Sequence, residues 1–211
     1  LYQQPVAPCA GALPPNREFL ARIPRGDGPP LAAAAFVPYA DLAGLTPLLD
    51  REVLSRVCTH LGRTPDLAGL ASVNVAVDSL LDPDFVAAAE GLVRALPHRD
   101  LRLLLEVGEG DIRHRLSEAA PALERLRGAG AGLSLEQFGS TGVSMGLLQA
   151  LRPDQVKLDG SLTRALPDSG NRAFIQAVAE VTATLGSHLV ATFLEDPEGR
   201  EALCALGVQG R

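Results

Sequence analysis

The residues able to do chemistry recur at one kind of place, the ends of short apolar runs. Glu18 stands in EFLAR, Asn74 in LASVNVAV, Glu106 interrupts LRLLLEV near its end, Glu136 follows LSL, and Lys157 and Asp159 stand in QVKLD. Side chains alternate along a strand, so Lys157 and Asp159 are expected to share one face and Val156 and Leu158 the other. By the same rule Glu18, Leu20 and Arg22 of EFLAR are expected on one strand face. That would set a carboxylate beside a guanidinium, a pair able to hold a metal ion and a phosphate oxygen together. A carboxylate inside an apolar run, as at Glu106, is costly to bury unless it is paired or bound to a cation. Plainer readings stand beside these. An isolated ExLxR is more often a surface ion pair, a lone asparagine in an apolar strand is usually a hydrogen-bonded core residue, and Lys157 with Asp159 could be an internal salt bridge.

The elements that must position these groups follow from periodicity. Leu133 and Leu135 alternate with Ser134 and Glu136, FGSTG breaks the strand, Met145 to Leu151 supplies a short apolar helix, and Gln155 to Asp159 reads as a second strand after Pro153. This stretch from Gly132 to Ser161 is a βαβ signature. Further strands are expected in LYQQPVAP, Leu70 to Val77, Leu101 to Val107 and LVATFLED. Helices are expected from Asp50 to Leu61, where Gly62 ends the run, and from Asp82-Pro83 to about Leu96, with Val86, Ala89, Leu92 and Val93 buried. Asp50 would then complement the dipole in a first turn. A helical stretch after Val107 is broken near Pro121, and another runs from about Arg172 to Leu185 before Gly186. Strands alternating with helices along the whole length predict an α/β barrel or a doubly wound sheet, with sites at C-terminal strand ends.

Composition sets the bounds. The chain has 211 residues, 46% of them apolar, enough for a single domain over residues 1–211. A net charge of −6 argues against nucleic-acid polymers, which require a basic stripe, but not against a small phosphate ligand held by a few placed cations. Cys9, Cys58 and Cys204 are odd in number and widely spaced, so neither a disulfide framework nor a thiolate metal site is expected, and a reducing, cytoplasmic setting is the default. No run approaches the length of a membrane span, so no direct membrane contact is expected of this segment. The chain opens on Leu1 and stops on GVQGR, and is expected to be a domain excised from a larger multidomain signalling protein.

With EQFG and KLDGS in view, the chain resembles EAL domains, the bacterial cyclic di-GMP phosphodiesterase fold, whose corresponding segments read DDFG and KIDxS. The resemblance extends in order through YQQPV, EFLAR, FVPYADLAGLTPLLD, the asparagine at 74, Glu106 with Glu109, LVATFLE and LGVQG. It implies a TIM-like (β/α)8 barrel of the EAL type, possibly lacking the last helix. It also implies that cyclic di-GMP would meet Gln4, Glu18, Leu20, Arg22, Asp50, Asn74, Lys157, Asp159, Leu194, Glu195 and Gln209. Of the family's metal and catalytic positions Glu18, Asn74, Glu106 and Lys157 are kept. Glu136 and Gln137 replace two adjacent aspartates, Thr192 replaces a glutamate and Gly108 a threonine. Two lost charges should weaken a two-cation centre severely. The resemblance thus implies a degenerate domain with no catalytic residues in use. No metal would be required for binding, and Mg²⁺ or Mn²⁺ would matter only to residual activity. Among degenerate members it is similar to the LapD-type receptors. These imply a homodimer, GGDEF-like or HAMP-like neighbouring domains, a cytoplasmic location on an inner-membrane protein, and control of a periplasmic adhesin protease and biofilm formation. The alternatives are a weak metal-dependent phosphodiesterase and a protein-interaction module that no longer binds nucleotide.

Overall fold

The structure, a computed structural model, describes residues 1–6, 15–64, 67–97, 100–140, 145–192 and 197–210. Two compact units divide the chain. The first comprises Leu1–Gln4, Arg17–Leu105 and Arg115–Gly132, the second Pro5–Asn16, Glu106–His114 and Leu133–Arg211.

The first unit draws on β1 (Tyr2–Val6), β2 (Asn16–Leu20), β3 (Arg22–Ile23), β4 (Leu31–Ala32), α1 (Val37–Leu42), α2 (Thr46–Gly62), β5 (Gly69–Asn74), α3 (Val77–Leu81), α4 (Pro83–Arg94), β6 (Leu101–Gly108) and α5 (Glu109–Gly128). Its core is periodic: Leu54, Val57, Cys58 and Leu61 form the buried stripe of α2, and Phe85, Val86, Ala89 and Val93 that of α4. Each fully buried aliphatic side chain stabilises the fold by roughly 1.5–3 kcal/mol. Leu92, expected in the stripe, is only half-buried. Asp82 caps α4 by accepting from the N–H groups of Asp84 and Phe85 at 2.8 and 2.9 Å, with Pro83 in the first turn, as the sequence predicts.

Three expectations are corrected in this region. Helix α2 begins at Thr46 with a proline in its first turn, so Asp50 stands beyond that turn and has no end-of-helix role. Strand β2 ends at Leu20, and Arg22 belongs to a separate antiparallel ribbon in which it faces Ala32, so Glu18 and Arg22 do not share a strand face. The break in α5 falls at Arg115 (φ −125°, ψ 19°), while Pro121 lies inside the helix, where it removes one N–H donor without ending it.

The second unit takes up the end of β6 and the start of α5. It continues through β7 (Gly132–Phe138), α6 (Met145–Leu151), β8 (Gln155–Leu158), α7 (Gly160–Arg164), α8 (Ser169–Leu185), β9 (His188–Ala191), α9 (Pro197–Ala205) and β10 (Gln209–Gly210). β7, β8, β9 and β10 pair in that order, all parallel, with Ser134 opposite Gln155, Lys157 opposite Val190 and Gln209 opposite Val190. Parallel neighbours joined through helices are what alternating strand and helix patterns require. The register of β7 against β8 shifts between Leu135 and Phe138, a bulge that carries Glu136 and Gln137. Gly139 follows at φ +90°, a conformation that L side chains rarely adopt, and a Cβ there would lie 2.7 Å from Cδ1 of Leu162, which would have to shift.

The expected helix at Met145 to Leu151 is α6, and Gly186 ends α8 in the left-handed conformation. β8 stops one residue short of the expectation because Asp159 is not a strand residue. It caps α7, accepting from the Ser161 N–H at 2.8 Å. Helix α8 starts at Ser169, three residues before the expected start, capped by Asp168. Cys58 is a free, buried thiol, whereas Cys204 is disulfide-bonded, against the expectation from spacing. No helix among the described residues is long and apolar enough to cross a membrane.

Candidate ligand-binding site

In the first unit, Glu18 is 2% exposed on β2, and Asn74 ends β5 exposed to solvent. The Asn74 amide donates to Glu18 Oε1 at 3.2 Å. Asn74 is therefore not the core residue of the plainer reading but a strand-end amide that orients a buried carboxylate. Beside it lies a cavity of about 340 Å³, lined among others by Phe19, Leu20, Val37, Asp50, Val53 and Asn74. Apolar walls with a few polar groups at this volume suit a small planar group at the lower end of ligand pockets. Phe19 is itself buried edge-on against His60, with ring centroids 5.6 Å apart.

Asp50 enters the cavity wall from α2. Its Oδ2 accepts from the Ala76 N–H at 2.8 Å and from the Ser79 hydroxyl at 2.7 Å. Burial pushes its carboxyl above the ordinary range, and these two hydrogen bonds work in the opposite direction. Arg22 is half-buried, donates to the Ala21 carbonyl at 2.8 Å and holds its guanidinium 5.8 Å from the ring centre of Tyr2. Gln4 is exposed on β1.

In the second unit, Lys157 is the organising charge. Its side chain is 1% exposed on β8, and its ammonium pairs with Glu106, wholly buried on β6, and with Glu136 Oε1 at 3.2 Å. The ammonium compensates the wholly buried Glu106, while Glu136, 21% exposed, keeps contact with water. The salt bridge considered between Lys157 and Asp159 is not formed, since Asp159 is committed to Ser161. Glu109, fully buried at the start of α5, accepts from the Gly139 N–H at 2.8 Å and so pins the turn after the bulge. Gln137 is exposed at φ +54°, a left-handed conformation that is uncommon outside glycine and asparagine. The Thr192 hydroxyl donates to the Leu158 carbonyl at 2.9 Å.

The structure thus brings Leu20, Asp50 and Asn74 to one cavity with Glu18 bonded to Asn74, and gathers Glu106 and Glu136 on Lys157. Leu194 and Glu195 lie outside the described residues, and Gln209 is placed by its backbone in β10. Sequence reading passed over Ser79 entirely and gave Glu109 no role. Glu109 enters the sequence reading through the resemblance alone, as the acidic residue three positions after Glu106. Nothing local marks Ser79, because its partner is 29 residues away.

The EAL domain model matches residues 1–210. Cyclic di-GMP phosphodiesterase NbdA of Pseudomonas aeruginosa is 32% identical over 219 residues, covering 100% of this chain and 28% of NbdA. The FimX EAL domain of Pseudomonas aeruginosa bound to c-di-GMP superposes with a TM-score of 0.84 at 24% identity, over 99% of this chain and 86% of that one. LapD of Vibrio cholerae, a S helix-GGDEF-EAL chain bound to c-di-GMP, gives 0.84 at 21% identity, over 100% of this chain and 52% of that one. The fold is the α/β, TIM-like type of these structures, as the sequence predicts. The chain spans little more than a quarter of the length of NbdA.

Proposed function

Because this chain belongs to the EAL domain family, we propose that it is a cyclic di-GMP receptor domain that binds its ligand without hydrolysing it. The observation that carries the reading is the pairing in the second unit. Glu106 and Glu136 share the single ammonium of Lys157, which offsets one of their two charges, Gln137 offers a neutral amide in place of an anion, and the Thr192 hydroxyl is bonded to a backbone carbonyl. These residues do not fit a pair of divalent cations, which require several anionic oxygens in a fixed array. Glu18 with Asn74, and Glu106 with Glu136 and Lys157, then persist as two structural sets rather than as catalytic groups.

Binding draws on other residues. The cavity at Leu20, Asp50 and Asn74 takes a guanine, with Leu20 against the base and Asp50 accepting from its edge. Arg22 supplies a cation for a phosphate, and the family resemblance would add Gln4, Leu194, Glu195 and Gln209 to the ligand's contacts. FimX and LapD, each named in complex with this ligand, support the ligand class. In the whole protein this domain would act as in LapD-type receptors, cytoplasmic beside GGDEF-like or HAMP-like neighbours, dimerising on binding to control a periplasmic adhesin protease. A weak phosphodiesterase is the second reading, favoured by the identity to NbdA and by the carboxylate retained at Glu136. Incubation with cyclic di-GMP and Mn²⁺, followed by chromatography, separates the two. The receptor reading expects intact ligand, and steady accumulation of the linear dinucleotide establishes the enzyme.

A further inference from the structure

Asp50 is held in an unusual way for a residue in a ligand cavity. Both of its hydrogen bonds among the described residues fall on one oxygen, Oδ2, and both donors come from the segment that follows β5. Ser79 is fully buried on the same helix as buried Val77 and Leu80, where an unused hydroxyl would cost free energy and an alanine would not. A carboxylate has about four acceptor positions, so two donors on Oδ2 fix the plane of the group and leave Oδ1 to accept from something else. Asp50 lines the cavity with Leu20 and Asn74.

We propose that Ser79 is a positioning residue for nucleobase recognition: its hydroxyl, together with the Ala76 N–H, locks Asp50 so that Oδ1 presents a fixed acceptor to the N–H edge of a guanine. The inference rests on the cyclic di-GMP reading above. Guanine offers N–H donors on the edge where adenine offers an acceptor, so an ionised, oriented carboxylate selects guanine. The Ser79 bond also favours the ionised form of Asp50 against the burial that opposes it.

The test is calorimetric titration with cyclic di-GMP of the wild-type chain and of Ser79→Ala across a pH series, with circular dichroism melts of both proteins. Ser79→Ala is expected to weaken binding about tenfold near neutral pH, the scale of one hydrogen bond to a charged group. It is also expected to lose affinity on acidification at a higher pH than the wild type, with the melting temperature little changed. Glu18 on β2, Asp78 on α3 and Arg51 and Glu52 on α2 are present in both proteins and cancel in the comparison. Unchanged affinity, or weaker binding with an unmoved pH midpoint, overturns the positioning role. Failure of the wild type itself to bind at any pH overturns the nucleotide reading and this inference with it, and the two failures are told apart by which protein fails.

Discussion

Replacing Lys157 by methionine removes the ammonium paired with Glu106 and Glu136, at little change in volume. Glu106 has no exposed side-chain surface, so its charge would be left buried and uncompensated, whereas Glu136 is 21% exposed and can turn toward water. Breaking a buried pair from one side destabilises by about 3–5 kcal/mol, and Glu136, the more exposed partner, adds about 1 kcal/mol or less. Set against a total of roughly 5–15 kcal/mol for a domain, that loss is large. Lys157→Met is therefore expected to lower the urea midpoint sharply with little change in slope, whereas Glu106→Gln with Lys157→Met should recover part of the loss because no bare charge remains. The defect should also depend on pH. An uncompensated buried carboxylate has its folded pKa raised above the unfolded value, so the penalty is complete at neutral pH and shrinks as pH falls through the raised value. Equal destabilisation of the single and double variants, at neutral and acidic pH alike, would show that Lys157 contributes packing alone and refute the charge argument.

Three other outcomes are expected. Asp50→Asn should keep the bonds from Ala76 and Ser79 and lose an ionisation that burial opposes. It should therefore melt no lower than the wild type at pH 7 while failing to bind guanine nucleotide, as differential scanning calorimetry and titration would report. For Asp50 itself the folded pKa lies above the unfolded one, so its contribution falls as pH rises through that window and is constant above it. Cys58, whose thiol burial pushes up to about 12, should resist a thiol-labelling reagent at pH 8 in the native state and react only at the rate of unfolding; immediate labelling would contradict its placement. Glu136→Asp, Gln137→Asp and Thr192→Glu together should restore Mn²⁺ binding by calorimetry, and a triple variant that still binds no metal would show that lost carboxylates are not the whole cause.

Much of this was legible in the sequence where the determining interactions are local. Asp82 with Pro83 sets the start of α4, Gly186 ends α8, and alternation in QVKL gives β8, because caps and periodicity act within a few residues. The strand-end polar groups were legible too, since Glu106 in an apolar run has to be compensated by something. What compensates it was not, because Lys157 is 51 residues away and its nearest acidic neighbour in sequence is Asp159. Arg22 was misplaced for a similar reason. Alternation predicts one continuous strand through EFLAR, but β2 stops at Leu20, and Arg22 joins a ribbon with Ala32 ten residues on. The bulge at Glu136 and Gln137 changes which way two adjacent side chains point, and only the pairing of β7 with β8 reveals it. Cys204 likewise shows that spacing along the chain does not fix spacing in the fold.

The central claim, ligand recognition without catalysis, is tested most directly by calorimetric titration of the domain with cyclic di-GMP in EDTA. Saturable binding, with only intact nucleotide recovered from the cell afterwards, is the predicted result. Heat that appears only when Mn²⁺ replaces EDTA, accompanied by linear product, would contradict it.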